Sequence, residues 1–286
     1  MLGIPISQGG IQKVIDRASD AIVPHNELIA EGVRNCEINH CDETSWRTHG
    51  QMGKNLHWLW ILGNIFLVFF MVQVHRDREA FLNLIKEWKG ILISDDYGIY
   101  RSWEYGRQTC LAHLIREARA LAESSDQDYA ACGKRLLRLF GDICDLVGSP
   151  LSTRACQNLY NRFYRLVTDY GDLTGCASNL VTRALKEFME ITLCLRDPRI
   201  NSTNNFAERQ IRSAVCKRKI SIGSAKDKGE RWIERSLTVR KSCALQNHSY
   251  YRTLVDAIKA ATLHRRPCLY WIRKAIVRSR ALNSPA

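Results

Sequence analysis

Cysteine pairs at the spacing of metal ligands are missing from this sequence, although its 286 residues include 11 cysteines. The cysteines are odd in number and scattered, so they indicate neither a disulfide framework nor a zinc ribbon. A secretory signal is missing as well, because no basic stretch followed by a long apolar run opens the chain. This pattern is typical of a reducing compartment, and we expect a cytoplasmic protein.

An unbroken apolar run of membrane-spanning length is also lacking. Residues 56–74 come nearest, but Gly63 and Asn64 divide them into two segments of strand length, rich in β-branched and aromatic side chains. His57 and Gln73 would in addition be costly in lipid. The segment therefore predicts a β-hairpin, and we expect no membrane contact.

Acidic residues are scarce in the last third of the chain. Residues 199–286 contain 20 Lys and Arg against 5 Asp and Glu, whereas residues 1–198 contain 22 against 24. The net charge of +13 is therefore concentrated at one end. A basic segment of this kind is typical of a protein that binds a polyanion, since phosphates supply the countercharge. A basic surface that only aids solubility is the alternative.

The hydrophobic pattern predicts a mixed order of strands and helices. The first 125 residues predict a helical region over 10–33, strands near 36–46, 56–62, 65–74, 91–94 and 108–111, and helices over 76–88 and 114–123. Apolar residues at helical spacing predict an all-helical region over 126–196 and helices from 204, over 228–246 and over 249–262. We expect an α/β fold, a mixed sheet flanked by helices. Its expected parts are an N-terminal helical segment (1–35), a core in two parts (36–125 and 201–250), a helical insertion (126–200) and a basic helical tail (251–286).

Three carboxylates occupy positions from which they can meet. Asp42 lies on a predicted strand, Asp95 follows the apolar run Ile-Leu-Ile-Ser, and Glu208 lies at the start of a predicted helix. Carboxylates on two strands and one helix can converge on a pair of divalent metal ions, an arrangement that many nucleic-acid enzymes use to cut phosphodiesters. The sequence thus indicates metal-dependent phosphoryl transfer.

Each of these acids also has a purely structural interpretation. Asp42 is a candidate turn residue at a strand end, and its neighbour Glu43 is an alternative ligand. Asp95 and Asp96 both follow a strand, where Asp is often an ordinary cap or turn residue. Glu208 lies three residues after an asparagine, which fits a capping box.

Six motifs in a fixed order give the chain a family resemblance. They read CDETSWR, LHWLW, SDDYGIY, CLAHLIREARALAE, NNFAERQIR and GSAKDKGER, and the segment GIPISQGGIQKVIDRA precedes them. The chain resembles the catalytic part of bacterial transposases of the insertion sequence sixty-six family over about residues 36–250. The resemblance implies a ribonuclease-H-like fold with an all-helical insertion before the helix that carries the last acid.

By this resemblance, Asp42, Asp95 and Glu208 are the three acids of a DDE active site that holds two Mg²⁺ or Mn²⁺ ions. The implied activity is DNA strand cleavage and strand transfer during transposition of an insertion sequence. The implied partners are double-stranded DNA, at the transposon ends and the target, and further copies of the chain in an active multimer. The implied location is the bacterial cytoplasm, in association with the nucleoid.

Further candidate residues surround this site. Cys110 and His113 match a Cys-x-Ala-His motif, and such a pair alone cannot complete a structural zinc site. His113 either supports the metal site, contacts a phosphate or is buried. Asn204, one turn before Glu208, is a candidate to orient that acid. The candidate phosphate contacts form a basic strip, which comprises Arg209, Arg212, Lys217, Arg218, Lys219, Lys226, Lys228 and Arg231.

The sequence departs from the family pattern at single positions and in its upstream part. Thr203 replaces an acid, Ser213 replaces a proline, and Asp96 replaces a glycine. Family members usually carry upstream DNA-binding segments, for which the sequence shows no counterpart. We therefore expect either a recognition subunit encoded elsewhere or a truncated chain. The alternative function is a catalytically silent remnant that binds DNA or transposase subunits.

Overall fold

The computed structural model describes residues 5–50, 53–149, 151–220, 223–224 and 226–281, with side chains described outside 49–50 and 53–55. The strands are β1 (Ile38–Gly50), β2 (Gly53–Gly63), β3 (Val68–Gln73), β4 (Ile91–Ser94) and β5 (Arg107–Thr109). The helices are α1 (Gln8–Ala21), α2 (Val23–Arg34), α3 (Arg78–Ile85), α4 (Gly98–Arg101), α5 (Leu111–Ala122), α6 (Gln127–Leu146), α7 (Thr153–Tyr170), α8 (Cys176–Lys186), α9 (Phe188–Ile191), α10 (Asn205–Ile220), α11 (Asp227–Leu245), α12 (Tyr250–Thr262) and α13 (Tyr270–Ala281).

The chain divides into two compact units, and each unit contains both strands and helices. The first unit comprises Met1–Gly90 and Phe206–Ala286, and the second comprises Ile91–Asn205. The first contains the antiparallel strands β1, β2 and β3, and the second contains the parallel pair β4 and β5. Within the described residues, five strands of mixed direction are flanked by helices, so the predicted α/β class is confirmed.

In the first unit, β1, β2 and β3 form a meander with a defined register. Asp42 pairs with Ile61, and Ile61 pairs with Phe70, so these three side chains share one face of the sheet. Glu43 pairs with Trp60 on the opposite face. The alternation of a strand therefore separates the two adjacent acids of the Cys-Asp-Glu-Thr motif.

Helix α10 covers the sheet face that carries Asp42. At the beginning of the helix, the ring of Phe206 lies 5.1 Å from the ring of His40 on β1. Near its end, Arg218 donates hydrogen bonds to Thr44 Oγ1 (3.0 Å) and to the backbone oxygen of Ser45 (2.9 Å). The helix therefore runs along β1 in the same direction. The apolar residues buried between α10, α11 and the sheet are Trp46, Leu59, Ile61, Val68, Phe70, Val72, Phe206, Ala207, Ile211, Ala214, Ile233 and Leu237.

Helix α11 protects the outer edge of β3 with three polar side chains, here called the polar ladder: Glu234, Thr238 and Ser242. Their spacing of four residues places them on one face of the helix. They accept backbone N–H groups of alternate β3 residues, at 2.6 Å from Val72, 3.0 Å from Phe70 and 3.1 Å from Val68. An unpaired edge strand can pair with another chain, and the polar ladder closes this edge.

The N-terminal and C-terminal helices pack together in the first unit. Gly32 of α2 lies against α13 so closely that a Cβ on Gly32 would come within 2.6 Å of the Ile276 side chain. Arg235 of α11 reaches α1, where it donates to Ser19 Oγ (3.0 Å) and to Asp20 Oδ1 (3.1 Å). The basic tail is a folded part of this unit, since α13 buries Trp271, Ile272, Ala275 and Ser279.

In the second unit, helices α6 to α9 form the helical region predicted over 126–196. Helix α5 packs against α6 at Gly133, where a Cβ would lie 2.2 Å from the backbone nitrogen of Ala122. The ring of Phe163 on α7 lies 6.2 Å from that of Phe140 on α6 and 5.5 Å from that of Phe188. Aromatic contacts between successive helices therefore hold this region together.

The apolar segment 56–74 forms β2, β3 and a tight turn, as predicted. The side-chain oxygen of Asn64 accepts the backbone N–H groups of Phe66 (3.0 Å) and Leu67 (3.1 Å), which closes the turn. Among the described residues, no helix is both long and apolar enough to cross a membrane. Strand β1 extends further than predicted, to Gly50, because its last residues pair with β2.

Candidate active site

Asp42 lies within β1, and its side chain is half-buried on the face that α10 covers. Its Oδ1 accepts the backbone N–H of Glu43 at 2.9 Å. The strand continues from Asp42 to Gly50, so Asp42 is not a turn residue at a strand end. A side chain on a paired strand has a well-defined position, which a metal ligand requires.

Glu43, the adjacent acid, is held on the opposite face by an arginine. Its Oε1 accepts from Arg76 Nε at 2.7 Å, and its side chain is only 1% exposed. The Arg76 guanidinium also lies 4.9 Å from the centre of the Trp58 ring. A buried carboxylate that is already neutralised by a guanidinium is poorly suited to bind a metal. Of the two adjacent acids, Asp42 is therefore the better candidate ligand.

Asp95 directly follows β4, at the carboxyl end of a strand with a buried core. Its Oδ1 accepts the backbone N–H of Tyr97 (3.1 Å), and the Ser94 hydroxyl donates to its backbone oxygen (2.9 Å). The other carboxylate oxygen of Asp95 has no hydrogen-bond partner among the residues that the structure describes. A half-buried carboxylate that is fixed through one oxygen and open at the other is suited to bind a cation.

Asp96, the neighbour of Asp95, is bound by two arginines. Arg101 binds it with two of its nitrogens, Nε to Oδ1 at 2.7 Å and Nη2 to Oδ2 at 2.9 Å. The Nε of Arg183 lies 3.0 Å from Oδ2 of the same carboxylate. The hydrogen bonding with Asp96 is the main cause that raises the pKa of Arg101 above its ordinary value. Asp96 thus resembles Glu43, because each is the member of its acidic pair that is bound by arginine.

Glu208 lies in the first turn of α10 with a half-buried side chain. Because α10 covers the sheet face that carries Asp42, the helix of Glu208 and the Asp42 side chain lie on the same side of the sheet. An acid in the first turn is also favoured by the helix dipole, so a role at the helix start and a role as ligand are compatible.

The first unit therefore contains Asp42 and Glu208, and the second contains Asp95. Carboxylate oxygens are the ligands that Mg²⁺ and Mn²⁺ prefer. Magnesium keeps several of its waters, so three protein carboxylates are a sufficient donor set for two ions. The open oxygen of Asp95 fits this use.

Cys110 and Asn204 are buried and in contact within the second unit. The backbone N–H of Asn204 donates to Cys110 Sγ (3.1 Å), and that of Leu111 donates to the backbone oxygen of Ser202 (2.9 Å). These bonds attach the segment before α10 to the beginning of α5. Asn204 is 1% exposed, so its side chain is not on the surface. His113 is half-buried in the first turn of α5.

The basic strip divides into exposed cations and cations that are already engaged. Arg218 is bonded to β1, as described above. Lys228 lies 3.5 Å from Asp16, and Arg231 lies 2.8 Å from Glu234. The remaining five are exposed and have no ion pair among the described residues: Arg209, Arg212, Lys217, Lys219 and Lys226.

Gly223 and Ser224 attach the segment between α10 and α11 to β1. The backbone of Gly223 has φ +94°, and a Cβ would lie 2.0 Å from the backbone oxygen of Arg47, so only glycine fits. The backbone N–H of Ser224 donates to that oxygen (3.0 Å), and its hydroxyl accepts from Trp46 Nε1 (2.9 Å). The Gly-Ser of the GSAKDKGER motif is therefore a structural joint beside the basic strip.

The arginine partners of the acids are the residues that sequence reasoning missed. Arg101 lies five positions after Asp96 in the sequence, and this short separation is a weak signal for a contact. Arg76 and Arg183 are distant in sequence from Glu43 and Asp96, and no local pattern indicates that they meet.

Comparison with known proteins gives one family. A sequence profile described as "Transposase IS66 family" matches residues 1–231. The matched range includes every motif quoted above and ends within α11. No curated protein matches the chain.

Proposed function

The chain belongs to the Transposase IS66 family, and on this basis we propose that it is a DDE transposase. In this proposal it cleaves DNA strands at the ends of an insertion sequence and joins them to target DNA. Asp42, Asp95 and Glu208 would hold two Mg²⁺ or Mn²⁺ ions.

The proposed fold is ribonuclease-H-like. Its support is the order of elements: three antiparallel strands, a helix, a parallel pair of short strands and a helix, followed by a helical region and the helix that carries Glu208. In such a fold the acids on strands belong to β1 and to the end of β4, which are the positions of Asp42 and Asp95.

The observation that carries the proposal is the fate of the two competing acids. Glu43 and Asp96 are the neighbours of the proposed ligands, and each is neutralised by arginine. These ion pairs make Glu43 and Asp96 the weaker candidate ligands of their pairs, which supports Asp42 and Asp95 as the ligands.

When bound, the two ions would make a water molecule nucleophilic and neutralise the leaving 3′ oxygen. The residues of the chain hold and orient the reacting groups. Strand β1 and helix α10 fix Asp42 and Glu208, and the turn after β4 fixes Asp95 through the Tyr97 N–H. The five exposed cations of the basic strip would bind the backbone phosphates of DNA, which positions the strand without reading its sequence.

The proposed partners follow from the same activity. Transposition joins two ends to one target, so the active complex would contain several copies of the chain. A separate DNA-recognition subunit would supply the sequence specificity for the ends. We expect this complex to act in the bacterial cytoplasm, at the nucleoid.

The test is cleavage of DNA that carries the terminal sequences flanking the gene, by the full chain with Mg²⁺. We expect strand nicks that require Mg²⁺ and that are lost in Glu208→Gln. Metal catalysis supplies several kcal/mol, so the loss should be on the order of 10³-fold. The matched control is Glu79→Gln, an exposed acid on α3, which should cleave normally.

Two outcomes would contradict the proposal. Retained cleavage in Glu208→Gln would remove Glu208 from the active site. A wild-type chain that binds DNA but never cleaves it, with or without a recognition subunit, would support the silent remnant instead.

A further inference from the structure

An ion-pair network surrounds the turn that carries Asp95, entirely within the second unit. Its centre is Asp96, whose side chain is 8% exposed and is bound by Arg101 and Arg183. Arg183 lies on α8 and also pairs with Glu117 on α5. The network therefore joins the turn after β4 to two helices, one of which belongs to the helical region.

The network extends further through Glu187, which follows α8. Its Oε1 lies 3.4 Å from Arg101 Nε, and its Oε2 lies 2.9 Å from Arg107 Nη2 on β5. Arg107 is buried, and its Nη1 donates to Thr109 Oγ1 (2.7 Å). Three acids and three arginines thus balance in charge: Asp96, Glu117 and Glu187 with Arg101, Arg107 and Arg183. A balanced, partly buried network holds its members in one arrangement.

The two contacts on Asp96 differ in kind. Arg101 makes a two-pronged hydrogen bond, which fixes the orientation of the carboxylate plane. Arg183 Nε lies at 3.0 Å but outside hydrogen-bonding geometry, so its contribution is the attraction of opposite charges. Arg101 therefore orients Asp96, and Arg183 attaches it to α8.

Asp95 and Asp96 are consecutive, so a shift of one moves the backbone of the other. The Asp95 carboxylate is fixed to the same turn by the Tyr97 N–H, and Arg101 lies on the short helix α4 that follows. The arginines on Asp96 and the N–H bond on Asp95 therefore act on the same turn.

We propose that Asp96 is a positioning residue, through which α8 of the helical region holds the Asp95 carboxylate in place for its metal ion. The inference rests on the proposed function, which makes Asp95 a ligand. Metal ligands must be held within about 0.5 Å of their productive geometry by their surroundings. Loss of a supporting residue typically weakens metal affinity or activity by about 10- to 100-fold.

The test measures Mn²⁺ binding to the full chain by electron paramagnetic resonance, which reports the free ion and needs no DNA. We expect Asp96→Asn to raise the apparent Kd for Mn²⁺ by about 10-fold, while Asp95→Asn loses a site. The matched control is Asp142→Asn, which breaks the exposed Arg162–Asp142 pair of the same unit and should leave the Kd unchanged.

A second pair of variants keeps the test valid if Asp96→Asn does not fold. Arg183→Gln leaves the two-pronged bond from Arg101 in place, and we expect it to raise the Kd by roughly 3-fold, a partial form of the same effect. Arg183→Lys keeps the charge and should restore the wild-type Kd. This rescue would not be expected if Arg183 only filled space.

The inference is wrong if Asp96→Asn and Arg183→Gln bind Mn²⁺ as the wild type does while Asp95→Asn binds it more weakly. A lower unfolding midpoint with an unchanged Kd would likewise reduce Asp96 to a structural residue. If Asp95→Asn itself leaves Mn²⁺ binding unchanged, both the proposed role of Asp95 and this inference fail.

Discussion

At the residue scale, the two acidic pairs of this protein, Asp42 with Glu43 and Asp95 with Asp96, each contain one acid that is bound by arginine. Asp42 and Glu43 point to opposite faces of β1, and Arg76 binds Glu43 on the face away from α10. Asp95 and Asp96 share a turn, and the arginines hold Asp96. Glu43 and Asp96 are therefore both neutralised by a guanidinium.

The first pair gives a prediction with opposite outcomes for adjacent residues. Asp42→Asn should abolish cleavage and leave the free energy of unfolding nearly unchanged. Glu43→Gln should retain cleavage but lower the free energy of unfolding by about 2 kcal/mol, because the partly exposed Arg76 loses its buried partner. Urea unfolding and the nicking assay measure the two effects. Loss of cleavage in a Glu43→Gln variant that is as stable as the wild type would show that the metal ligand is Glu43 and not Asp42.

At the element scale, helix α11 carries a buried ionisable side chain, Glu234. Burial raises the pKa of the Glu234 carboxyl from its ordinary 4.5 to about 7, although Arg231 and the Val72 N–H oppose the shift. Glu230 on the same helix adds to the rise, and Arg235 opposes it. A carboxylate that accepts a strand N–H in the dry interior is thus costly to ionise.

This raised pKa predicts how stability depends on pH. Between pH 4.5 and 7 the folded chain retains a proton that the unfolded chain has released, so the free energy of unfolding falls as the pH rises through this window. The fall attributable to Glu234 is ~3 kcal/mol at most. Glu234→Gln keeps an acceptor for the Val72 N–H and cannot ionise. We therefore expect the variant to lack this fall and to exceed the wild type in stability above pH 7.

Urea unfolding of both proteins at intervals from pH 4.5 to 8 checks this prediction. The difference between the two curves isolates Glu234, because the other titrating groups are common to both proteins. Parallel curves across the whole window would show that Glu234 ionises in the folded chain as readily as in water.

At the scale of the whole molecule, charge is divided unequally between the two units. Ile91–Asn205 contains 14 Lys and Arg and 14 Asp and Glu, so this unit is neutral. The other unit contains 28 against 15 and carries the entire net charge of +13. The unit with Asp42, Glu208 and the basic strip is thus the one that attracts a polyanion.

The charge division predicts how DNA binding depends on salt. The logarithm of the affinity should fall linearly with the logarithm of the salt concentration, with about 0.9 of slope for each phosphate contact. Arg209→Gln and Lys226→Gln should each reduce the slope by about 1. Lys134→Gln, an exposed lysine in the neutral unit, should leave the slope unchanged. Fluorescence anisotropy with a random-sequence duplex measures all four proteins, and equal slopes would remove the strip from the DNA contact.

Much of the architecture can be predicted from the sequence, because it depends on local patterns. The alternation of residues 56–74 predicts the hairpin, and helical spacing predicts α6 to α8. The isolated apolar run at 91–94 predicts β4, after which Asp95 follows. Each of these elements depends on which side chains along a short stretch are apolar, and that information is local.

The sequence by itself also determined which acids are candidates, since motif order selects Asp42, Asp95 and Glu208. Only the tertiary structure decided which neighbours are bound by arginine, namely Glu43 and Asp96. Arg76 and Arg183 are distant in sequence from the acids that they bind. No periodic pattern in the sequence predicts a contact between such distant residues. The segment between β3 and α3 brings Arg76 to Glu43 on the face of β1 away from α10, and α8 brings Arg183 to the turn after β4. An acid acquires its role from the charges that folding brings beside it, and those charges come from elsewhere in the chain.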